Sequence, residues 1–87
     1  MEVNKQVVDI IKDKLGVDEV GSDDDLINDL GADSLDIIET VMELESEFHI
    51  VIYDEEIDKN FTKVGHLIDF IQEKVDTNPY PTLNSSL

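Results

Sequence analysis

The chain has no cysteine and no arginine, and its 6 lysines stand against 22 acidic residues. Without cysteine there is neither a disulfide framework nor a thiolate metal site. Long apolar runs are missing as well: none approaches the roughly 20 residues that a membrane-spanning helix needs. The opening Met-Glu-Val-Asn-Lys has neither the basic start nor the apolar segment of a secretory signal. No internal repeat is present. Together these absences lead to the expectation of a cytoplasmic protein that inserts into no membrane. At 87 residues the chain has material for one core, and a domain this small buries only roughly 60 to 65% of its unfolded surface. A deep catalytic cleft is not expected.

What the sequence does have is charge of one sign, a net −16, unevenly placed. Between Leu15 and Asp58 there are 16 acids and no basic residue, while the two ends pool the remaining 6 acids with all 6 lysines and cancel. Such a field repels nucleic acid and anionic membrane and steers basic protein surfaces into encounter. High charge can leave a chain unfolded, but 40% of these residues are apolar and recur with a helical period, so a folded body is expected.

Val3, Val7, Ile10, Ile11 and Leu15 mark an amphipathic helix over residues 3–15, which Gly16 ends. Residues 17–33 read as a long loop held down by Val20, Leu26, Ile27 and Leu30, and a loop of that length is more often functional than idle. Asp33 is a good N-cap for a second helix running from Ser34 to about His49. Ile50, Val51, Ile52 and Tyr53 have no partner run elsewhere and read as an extended connector. A short third helix follows over 54–59 with Ile57 inward. Thr62 is placed to cap a last helix whose Val64, Leu67, Ile68, Ile71 and Val75 repeat at helical spacing. The expected fold class is all-α, a small four-helix bundle with one short third helix and a long loop between helices 1 and 2. Residues 1–75 form its single domain. The stretch after Asp76 has two prolines and no charged side chain, so 76–87 is expected to be a flexible tail.

On a wheel of roughly 100° per residue, Ile37, Val41, Leu44 and Phe48 of the second helix fall within roughly 60°, the stripe a bundle core requires. Leu35, Ile38 and Met42 form another stripe on the far side of Ser34, and Asp36, Glu39, Thr40, Glu43, Ser46 and Glu47 fill a polar arc. The pattern admits two arrangements. Either both stripes are core, or the second stays exposed beside Ser34 as a docking face, its carboxylates guiding basic partners and its apolar side chains, Met42 above all, adapting to them. Ser34 itself, by position alone, is an ordinary early-turn serine. The two histidines, His49 and His66, lie in separate segments and no oxyanion-hole motif is recognisable, so no triad nucleophile is assigned. A hydroxyl at an exposed helix start can nevertheless be modified by another enzyme.

The run Asp29-Leu30-Gly31-Ala32-Asp33-Ser34-Leu35-Asp36 resembles the phosphopantetheine attachment motif of acyl carrier proteins. Glu39, Met42, Leu44, Glu45, Glu47 and Phe48 follow in that family's helical pattern, and the likeness extends to Asp54-Glu55-Glu56 and Thr62-Lys63-Val64. It covers roughly residues 3 to 75. The resemblance implies that Ser34 accepts 4′-phosphopantetheine from coenzyme A through a Mg-dependent transferase, that Asp33 and Leu35 flank that attachment site, and that the terminal thiol carries growing acyl chains for fatty acid synthesis. It implies a carrier with no catalytic residue of its own. It also places Leu35, Asp36, Ile38, Glu39 and Met42 where the family contacts basic patches of its partner enzymes, and a monomer as the working unit. Two departures stand out. Tyr53 occupies a place where proline is usual, and Asn60-Phe61 brings what looks like one extra residue after the third helix.

Other carrier cargoes, among them D-alanyl, peptidyl and polyketide groups, fit the same motif. An unmodified acidic interaction module would use the charge without Ser34. Asp23, Asp25 and Asp29 invite comparison with a calcium loop, but Asn28 and Ser34 stand where its glycine and final glutamate belong. No metal ligands are assigned.

Overall fold

The computed structural model describes residues 3–77. Four helices follow one another, α1 Val3–Leu15, α2 Ser34–Phe48, α3 Asp54–Asn60 and α4 Val64–Asp76, and no strand occurs among the described residues. The tail expected from residue 76 lies, beyond Thr77, outside them.

In α1 the predicted stripe is the buried one: Val3, Val7, Ile10 and Ile11 enter the core, with Leu15 packed against it. Lys12 and Lys14 sit in the last turn, where the helix dipole favours positive charge. Gly16 then takes φ +67, and its N–H donates to the Lys12 carbonyl at 2.9 Å. A side chain there would be strained in the left-handed region, which is why glycine stops the helix.

The long loop is more organised than the sequence suggested. The Asp25 carboxylate accepts the N–H groups of Ile27 and Asn28, both at 2.9 Å, while the Asp25 N–H donates to the Asp29 carboxylate at 2.7 Å. Residues 25–31 thereby wind into a single helical turn, with the Asp29 N–H on the Asp25 carbonyl at 2.9 Å. Leu26 is sunk in the core and Val20 and Leu30 pack against it, but Ile27, expected to help pin the loop, is 54% exposed. The turn explains this, since adjacent residues of one turn point about 100° apart and Leu26 takes the inward direction.

The same loop corrects the start of α4. Thr62 does not cap that helix: its carbonyl accepts the Leu26 N–H at 2.8 Å, and Asp25 and Lys63 form an isolated antiparallel bridge. Lys63 is thus held extended as the cap residue, and the helix begins at Val64. Loop carbonyls stand in for a capping side chain, with the Val64 N–H on Asp24 at 2.9 Å and the Gly65 N–H on Ser22 at 2.8 Å. A Cβ at position 65 would lie 3.1 Å from the Ser22 oxygen, so this approach calls for glycine.

Val64, Leu67, Ile68 and Ile71 of α4 complete the core with Val41 and Leu44 of α2. In the connector, Ile50 and Ile52 are buried while Val51 and Tyr53 are exposed, the alternation of an extended segment lying on a core. Ile57 is half-buried against the core, and α3 has no fully buried residue at all. Lys14 reaches Glu43 at 3.7 Å and Gln6 reaches Glu47 at 3.1 Å, tying α1 to α2.

Candidate functional site

Four consecutive residues set up the start of α2. Gly31 takes φ +76 and turns the chain out of the loop. Ala32 is buried, small enough to tuck under the turn, with its N–H on the Leu26 carbonyl at 2.9 Å. Asp33 is the N-cap: its carboxylate accepts the Asp36 N–H at 2.9 Å, and the Asp36 carboxylate accepts the Asp33 N–H at 3.1 Å. This reciprocal capping box satisfies two backbone donors that a helix start would otherwise leave open. Ser34 is then the first helical residue, exposed to solvent. Among the described residues nothing hydrogen-bonds its side chain. The hydroxyl is therefore both fixed in position and chemically unengaged, because the neighbouring aspartate does the capping.

Of the two apolar stripes on α2, the structure buries one. Val41 and Leu44 are in the core and Ile37 and Phe48 lie against it. Leu35, Ile38 and Met42 are 62%, 51% and 62% exposed, with Glu39 exposed among them. Asp36, expected on the same docking face, is half-buried and partly committed to the capping box. Thr40, placed by the wheel on the polar arc, is buried. Its hydroxyl donates to the Asp36 carbonyl of its own helix at 2.8 Å, so the group enters the core already satisfied.

A groove of about 480 Å³ opens beside Ser34 between α2, α3 and the loop. Its walls are mainly apolar, from Ile27, Ala32, Ile37, Ile38, Ile57 and Phe61, with Asp33, Asp58 and Thr62 among the polar lining residues. The family resemblance implies a cavity for the acyl chain, but the residue pattern did not locate this groove or its lining. Ile27, Ile57 and Phe61 come from a loop, a seven-residue helix and its C-cap, none of which shows a period. The one available signal was the exposed apolar remainder that no helical stripe accounted for.

No imidazole lines this groove. His49 adopts φ 57 as the C-cap of α2, at the helix's far end, and His66 Nε2 is 2.9 Å from the Asn60 Oδ1. Asp24, Asp25 and Asp29 of the loop accept backbone N–H groups; the Asn28 N–H, foremost, holds Asp25 below the usual carboxylate range, with the Ile27 N–H and Lys63 adding to it against a smaller opposing effect of burial. Among the described residues no group of three histidine or acidic side chains converges on a point that could hold an ion.

An exposed, unengaged serine at a helix start thus stands next to an apolar groove and an acidic, partly apolar face. The family profile described as "Phosphopantetheine attachment site" matches residues 5–71. The acyl carrier protein of Thermotoga maritima is 45% identical over 76 residues, covering 85% of this chain and 93% of that one. That of Clostridium acetobutylicum is 47% identical over 72 residues, covering 80% and 92%. A crystal structure of an acyl carrier protein from Thermotoga maritima superposes with a TM-score of 0.71 at 36% identity, over 87% of this chain and 93% of that one. The chain belongs to the acyl carrier protein family, whose members are carriers rather than enzymes and whose prosthetic group is 4′-phosphopantetheine.

Proposed function

We propose that this acyl carrier bears its arm on the Oγ of Ser34 and takes growing fatty acyl chains from one fatty acid synthesis enzyme to the next. The observation that carries the reading is the exposed Ser34 hydroxyl at the first position of α2, left free by the Asp33 cap. The fit of the prosthetic group rests on three features. The hydroxyl is open to a transferase, the positive end of the α2 dipole favours an anionic phosphodiester there, and the groove gives apolar surface within immediate reach. When bound, the group supplies a terminal thiol that holds cargo as a thioester.

The residues around it position and present. Asp33 fixes the angle at which α2 begins, and so the direction in which anything on Ser34 leaves the surface. Leu35, Ile38 and Met42 give a partner enzyme apolar anchors, and Asp36 and Glu39 set the negative rim that attracts basic patches and the transferase. Residues 1–75 are the carrier unit, acting as a monomer in the cytoplasm. Among the described residues no helix is long and apolar enough to cross a membrane.

Treatment with coenzyme A and a phosphopantetheinyl transferase, followed by intact-mass measurement, tests this directly. Wild type should gain one phosphopantetheine and Ser34→Ala none. A wild-type chain that stays at its starting mass refutes the assignment. Loading with malonyl and D-alanyl donors then separates fatty acyl cargo from its nearest alternative.

A further inference from the structure

α3 forms one wall of the groove, yet burial alone holds it weakly: none of its seven residues is buried, and its start has no capping side chain from the cap residue. What holds that start is a cluster centred on Lys74 of α4. The Lys74 ammonium lies 2.9 Å from Glu56 Oε1, with the two side chains only 20% and 28% exposed. It also sits 5.2 Å from the centre of the Tyr53 ring and 5.5 Å from that of Phe70, both within cation–π range. The same Glu56 oxygen accepts the Tyr53 N–H at 2.9 Å. By contrast Lys5 and Asp9, 75% and 57% exposed at 3.3 Å, make an ordinary solvent-washed pair.

Tyr53 is one of the two departures from the acyl carrier resemblance, standing where that pattern has proline. A proline would offer neither the N–H that Glu56 accepts nor the ring that faces Lys74. The departure therefore comes with its own compensation, three side chains converging on one point. Burial pushes the Glu56 carboxyl up, but the Tyr53 N–H and Lys74 together outweigh it and hold the group below its usual range, as donors to a charged carboxylate do.

We infer that Lys74 is a positioning residue: by gripping Glu56 and the Tyr53 ring it pins the start of α3 to α4, and so fixes the wall that Ile57, Asp58 and Phe61 give the groove beside Ser34. This deepens the proposed function and rests on it for the groove's use by cargo. The grip itself is independent of any arm.

Amide hydrogen exchange on the full chain tests the grip. In Lys74→Met, residues 54–61 should exchange roughly 5- to 10-fold faster, the loss of one well-placed ion pair with its cation–π contacts, while the amides of α1 and of residues 64–71 keep their rates. Lys74→Arg should restore protection because it keeps both charge and stacking. In a Tyr53→Pro background, Lys74→Met should add clearly less than it does alone. Unchanged rates over 54–61, or acceleration spread equally over α1 and α4, overturn the grip. For the groove, an octanoyl thioester on the arm should be cleaved by hydroxylamine several-fold faster in Lys74→Met than in wild type, and an equal rate overturns the link to cargo. A chain that accepts no arm fails the carrier reading instead, and shows it in the intact mass beforehand.

Discussion

Two stripes of α2 carry similar side chains and end in opposite places. Val41 and Leu44 are sealed in the core, whereas Leu35, Ile38 and Met42, a fraction of a turn around the same helix, stay open to water. Hydropathy does not separate them; the neighbours do. Among the described residues α1 packs along one side of α2 and the core side chains of α4 join it there, whereas on the other side Leu35, Ile38 and Met42 remain exposed. Exposure of three large apolar residues costs a domain of marginal stability little, since burial forgone is not a contact broken, and it leaves a face on which a partner can gain what folding did not use.

The comparison breaks most clearly at its buried end. Leu44→Ala removes a fully buried side chain and should lower unfolding free energy by about 2–5 kcal/mol, read as a shifted urea midpoint. For so small a domain this is a large share of total stability. The cap that joins the two faces comes next. Asp33→Ala should cost about 1 kcal/mol and fray the first turn of α2, seen as faster exchange of the Asp36 amide, with slower transferase modification of Ser34 as the functional counterpart. Met42→Ala is the sharpest contrast with Leu44→Ala: its effect on stability should stay within about 0.5 kcal/mol, yet competition between wild type and variant for a partner enzyme should show weaker binding. Equal destabilisation by the two substitutions would erase the distinction between the stripes.

The smallest effect concerns acids rather than apolar groups. Asp25 and Glu56 serve the backbone, and both carboxyls are held below their usual range. A group whose folded-state value is depressed adds stability that is complete above its unfolded value, about 4, and is lost as the pH falls through its folded value. The difference in melting temperature between wild type and Asp25→Asn should therefore be present at pH 7 and shrink as the pH drops below about 4.

Much of this molecule is legible along the chain because helices announce themselves by period and by punctuation. The buried positions of α1 and α4, the glycine stop at Gly16, the Asp33 cap and the Ser34 start all follow from local rules that operate within a turn or two. Where reading along the chain failed, either a distant segment had intervened or a local hydrogen bond redirected a side chain. Thr62 lost its capping role because its carbonyl pairs with Leu26, and Ile27 turned outward because the loop coils around Asp25. Thr40 went into the core because a hydroxyl can satisfy itself on its own helix and a wheel does not record that. The groove's lining could not be placed from the residue pattern, since its walls are contributed by residues far apart in sequence.

By itself the sequence determined the helices, the excess of negative charge and the serine at the head of α2, since each depends on residue type and near-neighbour spacing alone. Only the tertiary structure decided which stripe of α2 is hidden, that the Ser34 hydroxyl is reachable, and that α3 stands across a groove from it. Those outcomes depend on which surfaces happen to meet when the chain closes, and contact between distant segments leaves no period to read.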